Sequence, residues 1–185
     1  MADNRTADVK IPLGSGYIYI AEYKGSIPAD EAIETAENLF GYVQKGATIV
    51  YKPEKKTIKD DMGHVSRTIT TSEEATLKCG FIAWSVKKLP QLVATGRKAT
   101  VGNKTTIKIG GISNDDGLRY VVRFVHPDKE LGDLRITIVG TNTAGLSLAY
   151  AMEEGTLLEP EFTAEPCDGE GTLIIMEETA PTVSA

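Results

Sequence analysis

The sequence predicts a mainly β protein: two packed antiparallel sheets, sandwich- or barrel-like, with one short α-helix. Three observations predict it. Short segments of alternating apolar and polar residues recur at close, regular spacing. Turn-forming Gly, Pro, Asn and Asp residues separate them. A single stretch carries helical spacing together with a capping residue and a glycine stop. Many strands with one helix suit packed antiparallel sheets better than alternating βαβ units.

The elements follow in order. VKIPLGSGYIYIAE (Val9–Glu22) contains a strand with Tyr17 and Tyr19 on one face and Ile18 and Ile20 on the other. GSIPADEAIETAENLF follows; Ile33, Ala36 and Phe40 have the spacing of a short acidic helix, and an irregular loop is the alternative. GATIVYKP is a β-rich run expected to end at Pro53, which cannot donate to a ladder. EKKTIKDDMGHVSR reads as a long polar loop joining two strands, with Asp61 and Gly63 as turn formers. TITTSEEATLKCGFIAW alternates again, setting Leu77, Cys79 and Phe81 against Thr76, Lys78 and Gly80.

SVKKLPQLVATG is the best helix candidate. Ser85 caps it, Leu89, Leu92 and Val93 share a face, and Gly96 ends it, with Pro90 near its start. ATVGNKTTIKIGG reads as a hairpin turning at Gly102-Asn103. GLRYVVRFVH places Leu118, Tyr120, Val122 and Phe124 inward and Arg119 and Arg123 outward. DLRITIVG, GLSLAYA, LLEPEFTAEP and GTLIIMEE complete the series of strands. No boundary or internal repeat interrupts the chain, so residues 1–178 form one domain and residues 179–185 a frayed tail.

The strand expected within TAGLSLAYAMEEG has an unusual second face. Ala144, Leu146, Leu148 and Tyr150 would serve a core, while Gly145, Ser147, Ala149 and Ala151 are small and uncharged. A half-exposed antiparallel strand ordinarily offers water charged or long polar side chains.

Composition narrows the function. The chain has 185 residues, 41% of them hydrophobic, and a net charge of -6, which fits one ordinary globular domain. No apolar run approaches the ~20 residues of a membrane helix, and MADNRTADVK has no apolar segment of a signal peptide. Cys79 and Cys167 lack CxxC spacing and flanking histidines, so they read as two reduced thiols. The acidic balance argues against tight nucleic-acid binding, which requires a basic patch. The basic clusters YKPEKKTIK and GRKATVGNK read as solvated loops.

Catalytic signals are sparse. His64 lies beside Gly63 in the polar loop, and His126 precedes Pro127 at a strand end; both read as surface or strand-end histidines. No GxSxG or HExxH motif occurs. GGISNDDGLRY lacks the Lys-Ser/Thr of a phosphate loop, and its Asn114, Asp115, Asp116 and Gly117 suit a tight turn better than a calcium site. Asp60–Asp61 and Glu73–Glu74 read as solvated loop charges. The expectation is a protein that is not an enzyme, with no cofactor and no metal.

Several segments taken in order resemble one family. GATIVYKP, EATLKCG, IGGISNDDG, RFVHPDK and TIVGTNTAG, with EFTAEPCDGEGTLIIMEE towards the end, are similar to bacteriophage tail tube proteins, the major tail proteins of long non-contractile phage tails and related prophages. The similarity spans nearly the whole chain, without the C-terminal immunoglobulin-like module that some members carry. The resemblance implies six copies closing into a ring with a continuous inner β-barrel, and rings stacking into a tube. It also implies partners: further copies of the chain, a tape-measure protein, tail terminator and distal tail proteins. Genomic DNA would pass through without specific binding, no membrane would be involved, and the protein would reside in the virion after assembly in the host cytoplasm.

Two sets of site residues follow. The polar loop, with Lys55, Lys56, Lys59, Asp60, Asp61 and His64, is expected to contact the next ring. Gly145, Ser147, Ala149 and Ala151 are expected to face the lumen or an adjacent subunit. Two alternatives stay open: the inner tube of a contractile tail, a tailocin or a type VI secretion system, which would share the architecture, and a monomeric β-sandwich binding module. The latter has little support from 6% aromatic residues and a single tryptophan, Trp84.

Overall fold

The computed structural model describes residues 14–128, 132–150 and 155–180. The protein is mainly β, with two antiparallel sheets and one short α-helix. The strands are β1 (Tyr17–Glu22), β2 (Leu39–Lys59), β3 (Ser66–Trp84), β4 (Arg97–Val101), β5 (Lys104–Lys108), β6 (Tyr120–His126), β7 (Asp133–Asn142), β8 (Glu161–Glu165) and β9 (Ile175–Thr179). The large sheet runs β6-β1-β2-β3-β8-β7-β9, and β6 also pairs with β7, so its hydrogen bonding returns on itself and the sheet is ring-like. β4 and β5 form a separate two-stranded sheet.

Alternation explains the core. Ile18 and Ile20 are fully buried, while Tyr17 is 40% exposed on the opposite face. Leu77, Cys79 and Phe81 from β3 meet Val122 and Phe124 from β6, Ile136 and Ile138 from β7, and Phe162 from β8 in one cluster. The Phe40 and Phe81 rings lie 4.6 Å apart between centroids. Each such side chain contributes roughly 1.5–3 kcal/mol on burial. Gly140 allows β7 and β8 to approach closely, since a Cβ there would lie 1.9 Å from the Thr163 carbonyl oxygen.

SVKKLPQLVATG covers this core as a 3-10 turn, Val86–Leu92, rather than an α-helix. Pro90 is the reason, because it has no N–H to donate into an α-helical ladder. The surrounding amides reach back three residues instead: Lys88 to Ser85 at 3.0 Å and Val93 to Pro90 at 3.3 Å. The expected cap is present, with Ser85 Oγ accepting from the Lys87 amide. Leu89 and Leu92 are buried beneath the turn.

α1 (Asp30–Ile33) occupies the acidic stretch and is only four residues long. The Asn38 side-chain amide donates to the Ala32 and Ile33 carbonyls at 3.0 and 3.1 Å and closes its end. Phe40 lies in β2 rather than on the helix. Ile33 packs with Val121 and Val139 in a second, smaller cluster on the other face of β6 and β7.

Several expectations require correction. β2 continues through Pro53 to Lys59, and β3 begins at Ser66, so the polar loop is mostly strand. Pro53 is tolerated because β1 pairs with β2 only over Leu39–Tyr42, leaving the distal part of β2 with β3 as its one neighbour among the described residues. The strand expected over GLSLAYA is absent from residues 145–150, which are irregular, and Gly145 has φ +72°. Leu146 and Leu148 still pack on the core, but Tyr150 is 78% exposed. LLEPEFTAEP is a strand only over Glu161–Glu165, with Leu158 making an isolated bridge to Phe81.

Leu118 is 37% exposed rather than inward, because its amide is held in a turn by Asp116 Oδ1. His126 is a strand-end residue but not a surface one: it is buried, with Nδ1 2.8 Å from the Ser15 carbonyl. The expected Gly102-Asn103 hairpin is present as β4–β5. The frayed tail was expected from residue 179, yet Thr179 closes β9; residues 181–185 lie outside the described residues.

Candidate functional site

The most distinctive feature is the β2–β3 ribbon. From Lys52↔Glu74 to Lys59↔Ser66 the two strands pair, among the described residues, only with each other, and every residue from 51 to 74 is exposed. At about 3.3 Å per residue the ribbon projects roughly 25–30 Å from the body. We call it the arm. A register shift beside Glu54 leaves an extra residue on β3 and bends the ribbon.

The tip is locally organised. Asp60 Oδ1 accepts from the Val65 amide at 2.7 Å, and Asp60 N–H donates to the Val65 carbonyl at 3.1 Å. His64 Nδ1 lies 3.5 Å from Asp60 Oδ2. Gly63 takes φ +74°, which suits glycine in the turn. Of the expected contact residues, Lys55, Lys56 and Lys59 therefore stand on β2, while Asp60, Asp61 and His64 form the turn.

Alternation assigns the arm's faces. Tyr51↔Ala75 and Pro53↔Glu73 share one face, continued by Lys55, Thr57 and Lys59. The Thr57 and Thr68 hydroxyls bridge at 2.9 Å there. The opposite face carries Lys56↔Ile69 and Ile58↔Arg67. Ile58 is 54% exposed, and at the tip Met62 and Val65 are 79% and 70% exposed.

At the arm's root lies a groove of about 470 Å³ lined by Tyr51, Glu73, Leu173, Ile174 and Met176, among others. A hydrogen bond from the Tyr51 hydroxyl to Glu73 raises the phenol's pKa above its ordinary value. The neighbouring segment from Asp168 to Thr179 contains Asp168, Glu170, Glu177 and Glu178 and no lysine or arginine. Its turn is fixed by Asp168 Oδ1, which accepts from the Glu170 and Thr172 amides at 2.9 and 3.0 Å. Hydrogen bonding to Thr172 holds that carboxyl below its usual range.

The small-residue face lies elsewhere on the body. Gly145, Ser147 and Ala149 line a cleft of about 320 Å³ with Lys78, Gly155 and Leu157. Ser147 and Ala149 are exposed; Ala151 lies outside the described residues. The structure thus keeps three of these small residues together without the strand expected to align them, and separates them from the arm tip.

One constellation was missed in the sequence. Arg123 was expected to point outward; it does leave the main core, yet its side chain is only 3% exposed. It pairs with Asp30 of α1, reaches Glu34 at 3.4 Å and Glu177 of β9 at 3.7 Å, and donates to Thr137 Oγ1 at 2.9 Å. Arg135 adds contacts to Glu34 at 2.7 Å and Asp133 at 3.4 Å, and the Glu34 hydrogen bond raises its pKa further. The available signal was weak: two arginines on neighbouring strands and a compact acidic run, DEAIE. This network ties α1 and β9 to the back of the sheet.

Among the described residues no group of three or more His, Cys, Asp or Glu side chains is arranged to hold a metal ion. No protein-family model matches the chain, and no curated protein matches it significantly.

Proposed function

We propose that this protein is a structural subunit that polymerises into stacked rings around a conduit, as the tail tube of a phage with a long non-contractile tail. One observation carries the reading: the projecting arm, whose strand edges and apolar side chains find no partner among the described residues. An isolated two-stranded ribbon is marginally stable in water, and open edges invite pairing with another chain. Assembly between copies answers both. The ring-like sheet and the small-residue cleft are compatible with a wall built from repeated subunits. The net charge of -6 suits a conduit that releases DNA, because even a few lysine–phosphate contacts repeated per ring would hold it. The tape-measure, terminator and distal tail partners belong to this proposal.

The test removes the arm and leaves the body. Replacing residues 55–71 by Asn-Gly joins Glu54 to Ser72, which already pair, through a favoured two-residue turn. Negative-stain images of the wild-type protein should show rings or tubes, whereas the armless protein should melt as a folded monomer and form neither. Dispersed wild-type monomers at every concentration, or normal tubes from the armless variant, would defeat the proposal.

A further inference from the structure

We infer that the arm of one copy docks in the groove at the root of a second copy's arm, head to tail; this rests on the assembly proposed above and names its contact. The two surfaces complement each other in chemistry. The groove is apolar at its floor, through Tyr51, Leu173, Ile174 and Met176, and is flanked by the wholly acidic segment Asp168–Thr179. The distal arm offers exposed Ile58, Ile69, Met62 and Val65 among Lys55, Lys56, Lys59 and Arg67, against only Asp60 and Asp61.

The backbone is matched as well. Among the described residues β9 ends the large sheet with one edge unpaired, and each arm strand pairs on one side only. An added strand can therefore supply main-chain hydrogen bonds while the side chains set specificity.

A chain cannot make this contact with itself. Tyr51 and Glu73 are at once the wall of the groove and the root of the arm, and the tip stands roughly 25–30 Å beyond them on a paired ribbon. Tip and groove are different surfaces, and docked head to tail they make a heterologous contact. Each docked copy still presents a free tip or a free groove, and the contact propagates into a closed ring or an open filament.

Charge swapping tests the pairing. K55E/K59E makes the tip acidic, and E73K/E170K/E178K makes the groove basic, with three cations against Asp168 and Glu177. Each variant alone should remain monomeric by sedimentation, because like charges then oppose. An equimolar mixture should co-assemble, since every contact in an alternating array again joins opposite charges. A mixture that stays monomeric, or single variants that assemble like wild type, would overturn the inference.

A second measurement reverses no charge. I58C/M176C in a C167S background, treated with a short thiol crosslinker, should give a ladder of dimers, trimers and larger species. A product ending at dimer would mean a reciprocal pair and overturn the head-to-tail contact, as would no product at all. Images of the same sample separate the two claims. A ladder without rings or tubes keeps the docking and sinks the tube proposal; tubes without a ladder do the reverse.

Discussion

Cys79 shows how one buried side chain links pH to stability. It is 3% exposed between Leu77 and Phe81, and burial pushes its thiol from 9.0 up to about 12. The raised value means that the unfolded chain ionises first as pH rises. The stabilising difference is therefore intact below about pH 9 and is lost above it, by up to ~1.4 kcal/mol per pH unit. Urea titrations between pH 8 and 10.5 should show wild type losing stability faster than Cys79→Ala, with the two curves parallel below pH 8.5; parallel curves throughout would refute the assignment. Cys167 is half-buried, its thiol also raised by burial, and should be alkylated first under native conditions. Arg123 makes the complementary case for a buried charge. Arg123→Met removes the donor to Thr137 but leaves Glu34 held by Arg135 at 2.7 Å, while Asp30 and Glu177 are about half exposed and can turn to water. The expected loss therefore falls below that of a broken buried pair, at ~1–2 kcal/mol, read by thermal or chemical denaturation. A loss below 0.5 kcal/mol would show that the network contributes nothing to the fold.

Among the elements, the irregular segment 144–150 behaves differently from the strand it resembles. Its alternation survives, with Leu146 and Leu148 packed inward and Ser147 and Ala149 exposed, although no ladder aligns it. Lysine at position 149 can therefore reach solvent without burying its ammonium group. Ala149→Lys should leave the monomer within about 0.5 kcal/mol of wild type, as expected for a surface change. If the cleft meets a neighbour or the conduit, the same variant should assemble poorly. A melting curve and an image of one preparation test both halves, and a large stability loss would place the residue in the monomer core. The arm raises the opposite issue, an element with ladder and register but no cover. Its sequence alternates only weakly, because neither face meets the body. That is why a polar stretch with turn residues near its middle reads as a loop.

For the whole molecule, charge distribution constrains how subunits are oriented. The β4–β5 hairpin carries Arg97, Lys98, Lys104 and Lys108 with no acidic residue between Arg97 and Lys108, and all of β4 is exposed. Six such hairpins lining a conduit would bind DNA rather than release it. On the proposed assembly the hairpin therefore faces away from the lumen. Val101, 80% exposed at its turn, provides the probe: Val101→Cys in assembled tubes should react with a bulky maleimide about as fast as in monomers. Protection by tenfold or more would put the hairpin inside the wall or the lumen.

The sequence by itself determined which side chains of β1, β3 and β6 enter the core, where one face of each strand meets the body. Ile18 and Ile20, Leu77 to Phe81, and Val122 with Phe124 were legible because burial of one face imposes a period of two. Capping at Ser85 and the turn at Gly102-Asn103 were legible because local hydrogen bonding and backbone freedom decide them. Only the tertiary structure decided the rest. The length of the arm depends on pairing between residues 52–59 and 66–74, which no core pattern marks. The burial of Arg123 depends on α1 folding back from more than eighty residues earlier in the chain. The groove joins Tyr51 to Met176 across the whole length of the domain. Local pattern encodes which face of a strand meets the core, whereas these three features arise from contacts between distant segments that composition and periodicity do not record.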